Sequence, residues 1–447
     1  MSYNISIVSL GCSKNLVDSE LMMGILKDNN YRLTETCEDA DIIIINTCGF
    51  IDKAKEESID TILECAQYKK TGRCKVLIVS GCLSERYQEE LLKELPEVDG
   101  IVGTGNINKI VEIIEETLEG NRVIKIGNID VDYDEDTVRI SSTSTSYSSY
   151  IKIAEGCDNL CTYCIIPKLR GKYRSRKMES IIKEAKALAD NGTKEIILIA
   201  QDTTKYGEDI YGDYKLPELL NELNKIDGIE WIRILYLYPD TFTDELIESI
   251  RDNSKVVKYV DIPIQHINNM VLKRMNRNTS KEMISELIIK LRKEIPDIII
   301  RTTIIVGFPG ETQEQFNELY DYIKNMRFDR LGVFTYSKEE GTPAALLTPQ
   351  VDENLKIERQ EKLMKLQQQI SIEKNQNKVR KVFKSLIEEK IEDSVYLGRT
   401  YMDSPEIDGL IYVNSDKELR IGSFVDVEVR DYLEYDLIGD VLDELSK

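Results

Sequence analysis

The chain has 447 residues, 41% of them hydrophobic and 31% charged, with a formal net charge of −21. That length holds several domains with ample core, while no apolar run approaches the ~20 residues of a membrane helix and the leading MSYNISIVSLGC lacks the basic stretch and apolar core of a signal peptide, so a cytoplasmic protein with no membrane partner is expected. So acidic a chain is a poor generic binder of nucleic acid and suits a basic partner, and nine cysteines in that compartment argue for metal or redox chemistry over disulfides.

Residues 3–126 alternate short apolar runs with helical stretches. Strands are predicted over Ile5–Leu10, Asp41–Asn46, Lys75–Ser80 and Gly100–Val102. Helices fall near Leu16–Asp28, Asp52–Tyr68, Glu85–Leu95 and Lys109–Leu118. Apolar runs bounded by helices argue a parallel sheet covered on both faces, a doubly wound α/β domain. Cys12, Cys48 and Cys82 each lie just past the carboxyl end of one of these strands. Open α/β sheets collect ligands at that edge, and adjacent strand ends lie ~5 Å apart, so the three thiols can converge on one object. The plainer alternative is three unrelated buried cysteines acting as small hydrophobes. Cys37, Cys65 and Cys74 share no such placement and read as structural.

Residues 128–149 contain an acidic patch and a Ser/Thr-rich run, SSTSTSYSS. Neither composition can bury a core, which implies a linker.

Residues 150–337 alternate again, with six candidate strands: Tyr150–Ala154, Glu195–Ala200, Trp231–Leu237, Val257–Ile262, Ile298–Val306 and Arg330–Tyr336. Helices lie between them, near Met178–Asn191, Asp244–Arg251, Ser280–Glu294 and Glu314–Met326. Six βα units fall short of the eight of a closed barrel and fit a partial (β/α)6 barrel. After its first strand comes IKIAEGCDNLCTYCIIPKLRGKYRSR, with Cys157, Cys161 and Cys164 spaced C-x3-C-x2-C. Tightly spaced thiolates are the usual ligands of iron–sulfur clusters. Three rather than four leave one iron open, as a catalytic metal keeps a free position. A zinc knuckle would need a fourth ligand, and the single histidine, His266, is about a hundred residues away with no partner spaced for zinc. With Tyr163 before the last cysteine, the run resembles the motif of the radical S-adenosylmethionine (SAM) superfamily. The resemblance makes polar groups on the carboxyl-end face candidates for holding SAM. These are Tyr163, Gln201, Arg301 and Glu311, with His266 read equally well as packing or as acid–base.

A long polar helix is expected over about Glu353–Asn377. Beyond it, five short alternating runs, Val382–Glu388, Tyr396–Tyr401, Gly409–Val413, Phe424–Val429 and Leu437–Val441, suggest a small antiparallel barrel. From Gln376 onward the chain carries ten Lys and Arg against seventeen Asp and Glu. Asp403, Glu406 and Asp408 stand close together in MDSPEID and are candidates for attracting a basic partner.

The order of these parts resembles the radical-SAM methylthiotransferases over essentially the whole chain. It implies an amino-terminal methylthiotransferase domain (1–127), a linker (128–149), a radical-SAM domain (150–375) and a TRAM domain (376–447). The matching motifs are LGCSKN at 10–15, NTCGFI at 46–51, GCL at 81–83, KIAEGCDNLCTYCIIP at 152–167, RGKYRSR at 170–176 and AQDTTKYG at 200–207. Members acting on tRNA typically read GCQMN at the first site. GCSKN and the SPEIDG at 404–409 are similar to the branch that modifies a ribosomal protein. That branch adds a methylthio group to the β-carbon of an aspartate in small-subunit ribosomal protein twelve, at the decoding centre. The resemblance implies two [4Fe-4S] clusters, one on Cys157, Cys161 and Cys164 that cleaves SAM, and an auxiliary one on Cys12, Cys48 and Cys82 that presents sulfur. Catalysis would then need no residues beyond these ligands. Expected partners are a basic ribosomal protein and an electron donor such as flavodoxin or ferredoxin. A tRNA adenosine methylthiotransferase is one alternative, which predicts a basic TRAM domain. An iron–sulfur sensor or electron carrier is another; it leaves the barrel and end domain without a role.

Overall fold

The computed structural model describes residues 3–131, 139–140 and 147–442. The first domain is one parallel six-stranded sheet of β1 (Asn4–Ser9), β2 (Arg32–Leu33), β3 (Ile42–Thr47), β4 (Val76–Gly81), β5 (Gly100–Val102) and β6 (Val123–Lys125). Its order is β2-β1-β3-β4-β5-β6. β3 and β4 read IIIINT and VLIVSG, and all of their residues are buried. Central parallel strands covered on both faces need that continuous apolar character. β2 and β6, two and three residues long, are too short to carry a periodic signal and were not expected from the sequence. The helices after β1 and β4 span Ser13–Asp28 and Cys82–Glu94. They begin about three residues earlier than their apolar spacing suggests, which puts Cys12 at one helix cap and Cys82 at the first position of the other.

The barrel strands are β7 (Ser148–Lys152), β10 (Glu195–Ile199), β11 (Trp231–Ile234), β12 (Tyr259–Asp261), β13 (Ile299–Val306) and β14 (Arg330–Thr335). β8 (Ala154–Glu155) and β9 (Arg174–Ser175) form a separate hairpin-like pair. The six pair in parallel as two three-stranded sheets, β7-β10-β11 and β12-β13-β14, joined by a single bridge from Ile232 to Val256. The result is the partial (β/α)6 barrel. Alternate residues of each strand face outward to the helices: Ile196, Leu198, Ile232 and Ile300 share one buried cluster with helix residues such as Ile181, Ile288 and Leu319.

The carboxyl-terminal domain is a closed barrel of β15 (Val382–Glu392), β16 (Val395–Thr400), β17 (Ile411–Asn414), β18 (Phe424–Tyr432) and β19 (Leu437–Val441). All pairings are antiparallel except β17 with β19.

The three parts share a core. Val17 and Leu21 of the first domain, Ile197, Ile199 and Tyr259 of the barrel lumen, and Leu386, Tyr396 and Ile411 of the last domain form one buried cluster. Full burial of such side chains contributes about 1.5–3 kcal/mol each, so the domains are packed together rather than strung. The expected linker is fastened where it is described. Asp130 pairs with Arg174 at 3.0 Å. Arg139 is held between Glu20 at 3.2 Å and Glu184 at 3.1 Å. Ser148 and Ser149 belong to β7, and much of the Ser/Thr-rich run lies outside the described residues.

Candidate functional site

The first triad sits at the carboxyl edge of the first sheet. Cys48 and Cys82 are buried and Cys12 is exposed. Gly11 brings the strands close enough for this: at φ +84°, a Cβ there would lie 2.6 Å from Cys48 Cβ and 3.1 Å from its Sγ. Burial pushes the Cys82 thiol up to about 12, partly countered by the field of Arg170 and reinforced by Cys12 and Cys48. Burial likewise raises Cys48, again with Cys12 as a neighbour. The three sulfurs therefore lie within one another's fields.

The second triad sits beyond β7, on a loop pinned from several directions. Cys157 N donates to Gly171 O at 3.1 Å, Thr162 N to Met275 O at 3.0 Å, and Asn276 Nδ2 to Leu160 O at 3.0 Å. Gly156, at φ +76°, is required, since a Cβ would lie 1.9 Å from Lys172 O. Burial raises Cys157 to about 11 and raises Cys164, with Cys161 adding to both shifts. The Tyr238 hydroxyl lies 3.7 Å from Cys161 Sγ.

Among the described residues, no three His, Cys, Asp or Glu side chains close tightly enough on a point to hold a single metal ion. A lone zinc needs thiolates at about 2.3 Å. A four-iron cube instead takes its thiolates at separate corners. Thiols grouped within one another's fields fit such a cube, and a cluster needs them as thiolates, so its assembly must displace the protons that burial retains.

Between the triads runs a buried charge network that joins the first domain to the barrel. Arg170, on the helix Ile166–Arg170 just after the second triad, donates to Asn15 at 2.5 Å, Asp18 at 2.9 Å and Glu155 at 3.1 Å. Lys152 bonds the same two carboxylates, Asp18 and Glu155. Burial would raise the Glu155 carboxyl, but Arg170 and Lys152 outweigh it and hold it well below the ordinary range. Asn15 Oδ1 also lies 4.0 Å from Cys82 Sγ, so this network reaches the first triad directly. A second anchor lies beyond β14, where buried Glu339 collects Asp52 N at 3.0 Å, Lys55 at 3.1 Å and Arg86 at 3.0 Å. A cleft of about 580 Å³ opens beside the first network, lined by Asp18, Lys152, Glu155, Arg170 and Arg174. None of its lining residues is a cysteine.

The four candidate SAM-binding residues separate. Gln201 donates to Glu155 at 2.9 Å, while its Oε1 is buried with no partner. Tyr163 packs edge-on against Phe308, with ring centroids 6.5 Å apart, and its hydroxyl accepts from Arg277 at 3.3 Å. Arg301 pairs with Asp261 at 2.9 Å and faces Asp408 at 3.5 Å. Glu311 accepts from Gly307 N at 2.8 Å and pairs with Arg359 at 2.8 Å, so its oxygens brace their own loop. His266 is fully buried; burial lowers its pKa to about 3, which keeps it neutral and makes it a packing residue whose Nδ1 accepts from Asn268 N at 3.0 Å.

The acidic turn of the last domain departs from expectation. Asp403 pairs with Arg330, and Asp408 accepts from Tyr259 at 2.6 Å. Asp403 is buried and the Asp408 side chain is 3% exposed, their charge met by barrel groups, so these two are not available to attract a partner, whereas Glu406 is exposed. Glu195, Arg233 and Arg399 complete this seam, at 2.9 Å and 2.6 Å. Glu195, Tyr259 and Arg330 are the first residues of their strands. The last domain therefore closes the amino end of the barrel, opposite the cysteines. The sequence alone did not reveal Lys14, a buried lysine two residues after Cys12.

Comparison with known proteins agrees with this architecture. Residues 4–103 match the uncharacterized protein family UPF0004, residues 151–323 the radical SAM superfamily and residues 379–442 the TRAM domain. A radical SAM domain implies a [4Fe-4S] cluster and SAM. The chain is 56% identical over 442 residues to a protein of Clostridioides difficile called ribosomal protein uS12 methylthiotransferase RimO, covering 99% of both chains. It is 55% identical over 437 residues to a protein of the same name from Thermoanaerobacter sp., covering 98% of this chain and 99% of that one. Among solved structures, the radical SAM methyltransferase TsrM of Kitasatospora setae superposes with a TM-score of 0.59 at 14% identity, over 77% of this chain and 74% of that one. The radical enzyme OxsB does so at 0.51 and 12%, over 81% of this chain and 56% of that one. At such identities these two speak for the fold alone.

Proposed function

The chain belongs to the RimO family of ribosomal protein uS12 methylthiotransferases, and from that premise we propose that it inserts a methylthio group at the β-carbon of an aspartate in that small-subunit ribosomal protein. The observation that carries this reading is the pair of cysteine triads, one at the carboxyl edge of each sheet, fastened together by a shared charge network. Cys157, Cys161 and Cys164 would hold a cluster with an open iron for SAM, and Cys12, Cys48 and Cys82 an auxiliary cluster. When bound, these groups supply the radical that removes an unactivated hydrogen and the sulfur that replaces it, a step beyond the reach of any side-chain base. Arg170, Asp18, Glu155 and Lys152 fix the spacing between the triads. Gln201 Oε1, buried without a partner, is the acceptor we assign to a SAM donor group. Tyr163 and Tyr238 wall the second triad and keep water from it. A small reductant such as flavodoxin or ferredoxin would deliver the electron.

The test is anaerobic incubation of reconstituted enzyme with SAM, dithionite and either the ribosomal protein or tRNA, followed by mass analysis. A gain matching methylthio-for-hydrogen exchange on the ribosomal protein alone is expected. Modification of the tRNA instead overturns the assignment, and SAM cleavage absent under all conditions reduces the chain to an iron–sulfur carrier.

A further inference from the structure

Lys14 occupies the second position of the helix Ser13–Asp28, two residues beyond Cys12. Its side chain crosses into the barrel, and its Nζ lies 3.5 Å above the centre of the Tyr236 ring. The residue is only 6% exposed. Among the described residues the ammonium has no hydrogen bond and no ion pair, and the face of the Tyr236 ring is its one assigned contact. A buried charge is costly unless paired, and a ring face recovers only part of that cost.

The position of Tyr236 gives this ammonium its place. Tyr236 follows β11, two residues before Tyr238, whose hydroxyl touches Cys161. One side of Lys14 is thus tied to the first triad and the other to the second. Tyr236 has a left-handed backbone, φ +61°, which is costly for a non-glycine residue. Three bonds hold it there: its N–H donates to Asp261 at 3.1 Å, and its carbonyl accepts from Thr203 N and from the Thr203 hydroxyl, each at 3.0 Å. Asp261 makes no ion pair with Lys14; its charge is met by Arg301 at 2.9 Å. Strain maintained by surrounding bonds is a mark of a binding or reacting site.

We propose that Lys14 is the specificity residue that receives the carboxylate of the aspartate being modified. The inference rests on the proposed substrate. An aspartate whose β-carbon reacts must bring its side-chain carboxylate to within one bond of the reacting atom. That anion needs a fixed cation between the two triads, and Lys14, on the helix that Cys12 caps, is a buried cation with no carboxylate partner among the described residues. The carboxylate completes the ion pair that the free enzyme lacks, with Tyr236 holding the ammonium in register.

The test uses the reconstituted enzyme and two forms of the ribosomal protein, with the target aspartate intact or changed to asparagine. Affinities are measured by titration without turnover, and midpoint potentials of both clusters are recorded in parallel. The unmodified enzyme should prefer aspartate by about thirtyfold or more, the effect of removing one partner of a buried charge pair. Lys14→Met should bring the two forms within about twofold of each other, with iron content retained, and Lys14→Arg should restore the preference. A Lys14→Met enzyme that keeps the preference while its auxiliary-cluster potential shifts would make Lys14 a cluster-tuning residue and overturn the inference. If the unmodified enzyme binds neither form, the substrate assignment itself falls.

Discussion

Two seams hold this molecule together, and they are built differently. Where the last domain meets the amino end of the barrel, Glu195 lies between Arg233 and Arg399, Asp403 against Arg330, and Asp408 against Arg301 and Tyr259. Each carboxylate there has its cation. Where the first domain meets the carboxyl end, Asp18 and Glu155 are also paired, yet among the described residues Lys14 lacks an ion partner and Gln201 keeps a buried acceptor open. One seam gives each of these carboxylates a cation and closes the barrel. The other is left incomplete beside the cysteines, where ligands must arrive. Net charge does not reveal this division, because acidic residues of the last domain are spent on the barrel's own arginines.

Four interventions sharpen the contrast. The largest effect belongs to the cysteines. With two four-iron cubes the enzyme should carry about eight irons per chain. Replacing Cys157, Cys161 and Cys164 with alanine should leave about half of the iron and abolish SAM cleavage. Replacing Cys12, Cys48 and Cys82 should also leave about half, but spare SAM cleavage and abolish sulfur insertion. Full iron retention in the second variant would remove the auxiliary cluster from the account.

Next comes the closed seam. Glu195→Ala leaves buried arginine charge uncompensated and should cost about 3–5 kcal/mol in denaturant unfolding. A loss under 1 kcal/mol would mean that the seam is packed rather than electrostatic.

The same carboxylate sets a pH window. Burial alone would raise its pKa, but Arg399 and Arg233 prevail and bring it to about 2, from 4.5. Between those values the unfolded chain binds the proton and the native chain does not. The stabilisation is therefore present above pH 4.5 and is lost as pH falls towards 2. Stability curves of the parent and Glu195→Ala should converge across that interval; parallel curves would contradict the assignment.

The smallest effect lies on the rim of the same seam. Lys384 pairs with Glu230 at 2.8 Å, but both side chains are 46% exposed. Lys384→Ala should change stability by less than about 1 kcal/mol, and a larger change would show that the closed seam extends to its edge.

The two groups of three cysteines were legible in the sequence because their signal is local: a C-x3-C-x2-C run, and one cysteine at each of three strand ends. The three-domain order was legible because the apolar periods change between domains. The seams were not. Glu195 and Arg399 are 204 positions apart, and no local pattern announces a pair formed only when a strand start meets a separate barrel. Lys14 looks like an ordinary helix-start lysine until Tyr236, held in its left-handed turn, is placed beneath it. Glu311 and Arg301 carry the right chemistry at the right strands. Only their neighbours, Arg359 and Asp261, reveal how far that chemistry is already engaged.

The unequal exposure of the first triad has a consequence for the lifetime of the protein in air. Cys12 faces solvent, while Cys48 and Cys82 are enclosed. An oxidant or alkylating agent therefore reaches one corner of the auxiliary site first. Damage there starts as a sulfenic acid on an accessible residue, a lesion that a thiol can still reverse. Cys48 and Cys82, shielded by the sheet, are spared the irreversible steps while the fold holds. If the first triad holds the proposed auxiliary cluster, inactivation by oxygen should then begin as loss of one ligand, repairable by reduction and fresh iron and sulfide, before it becomes loss of the enzyme.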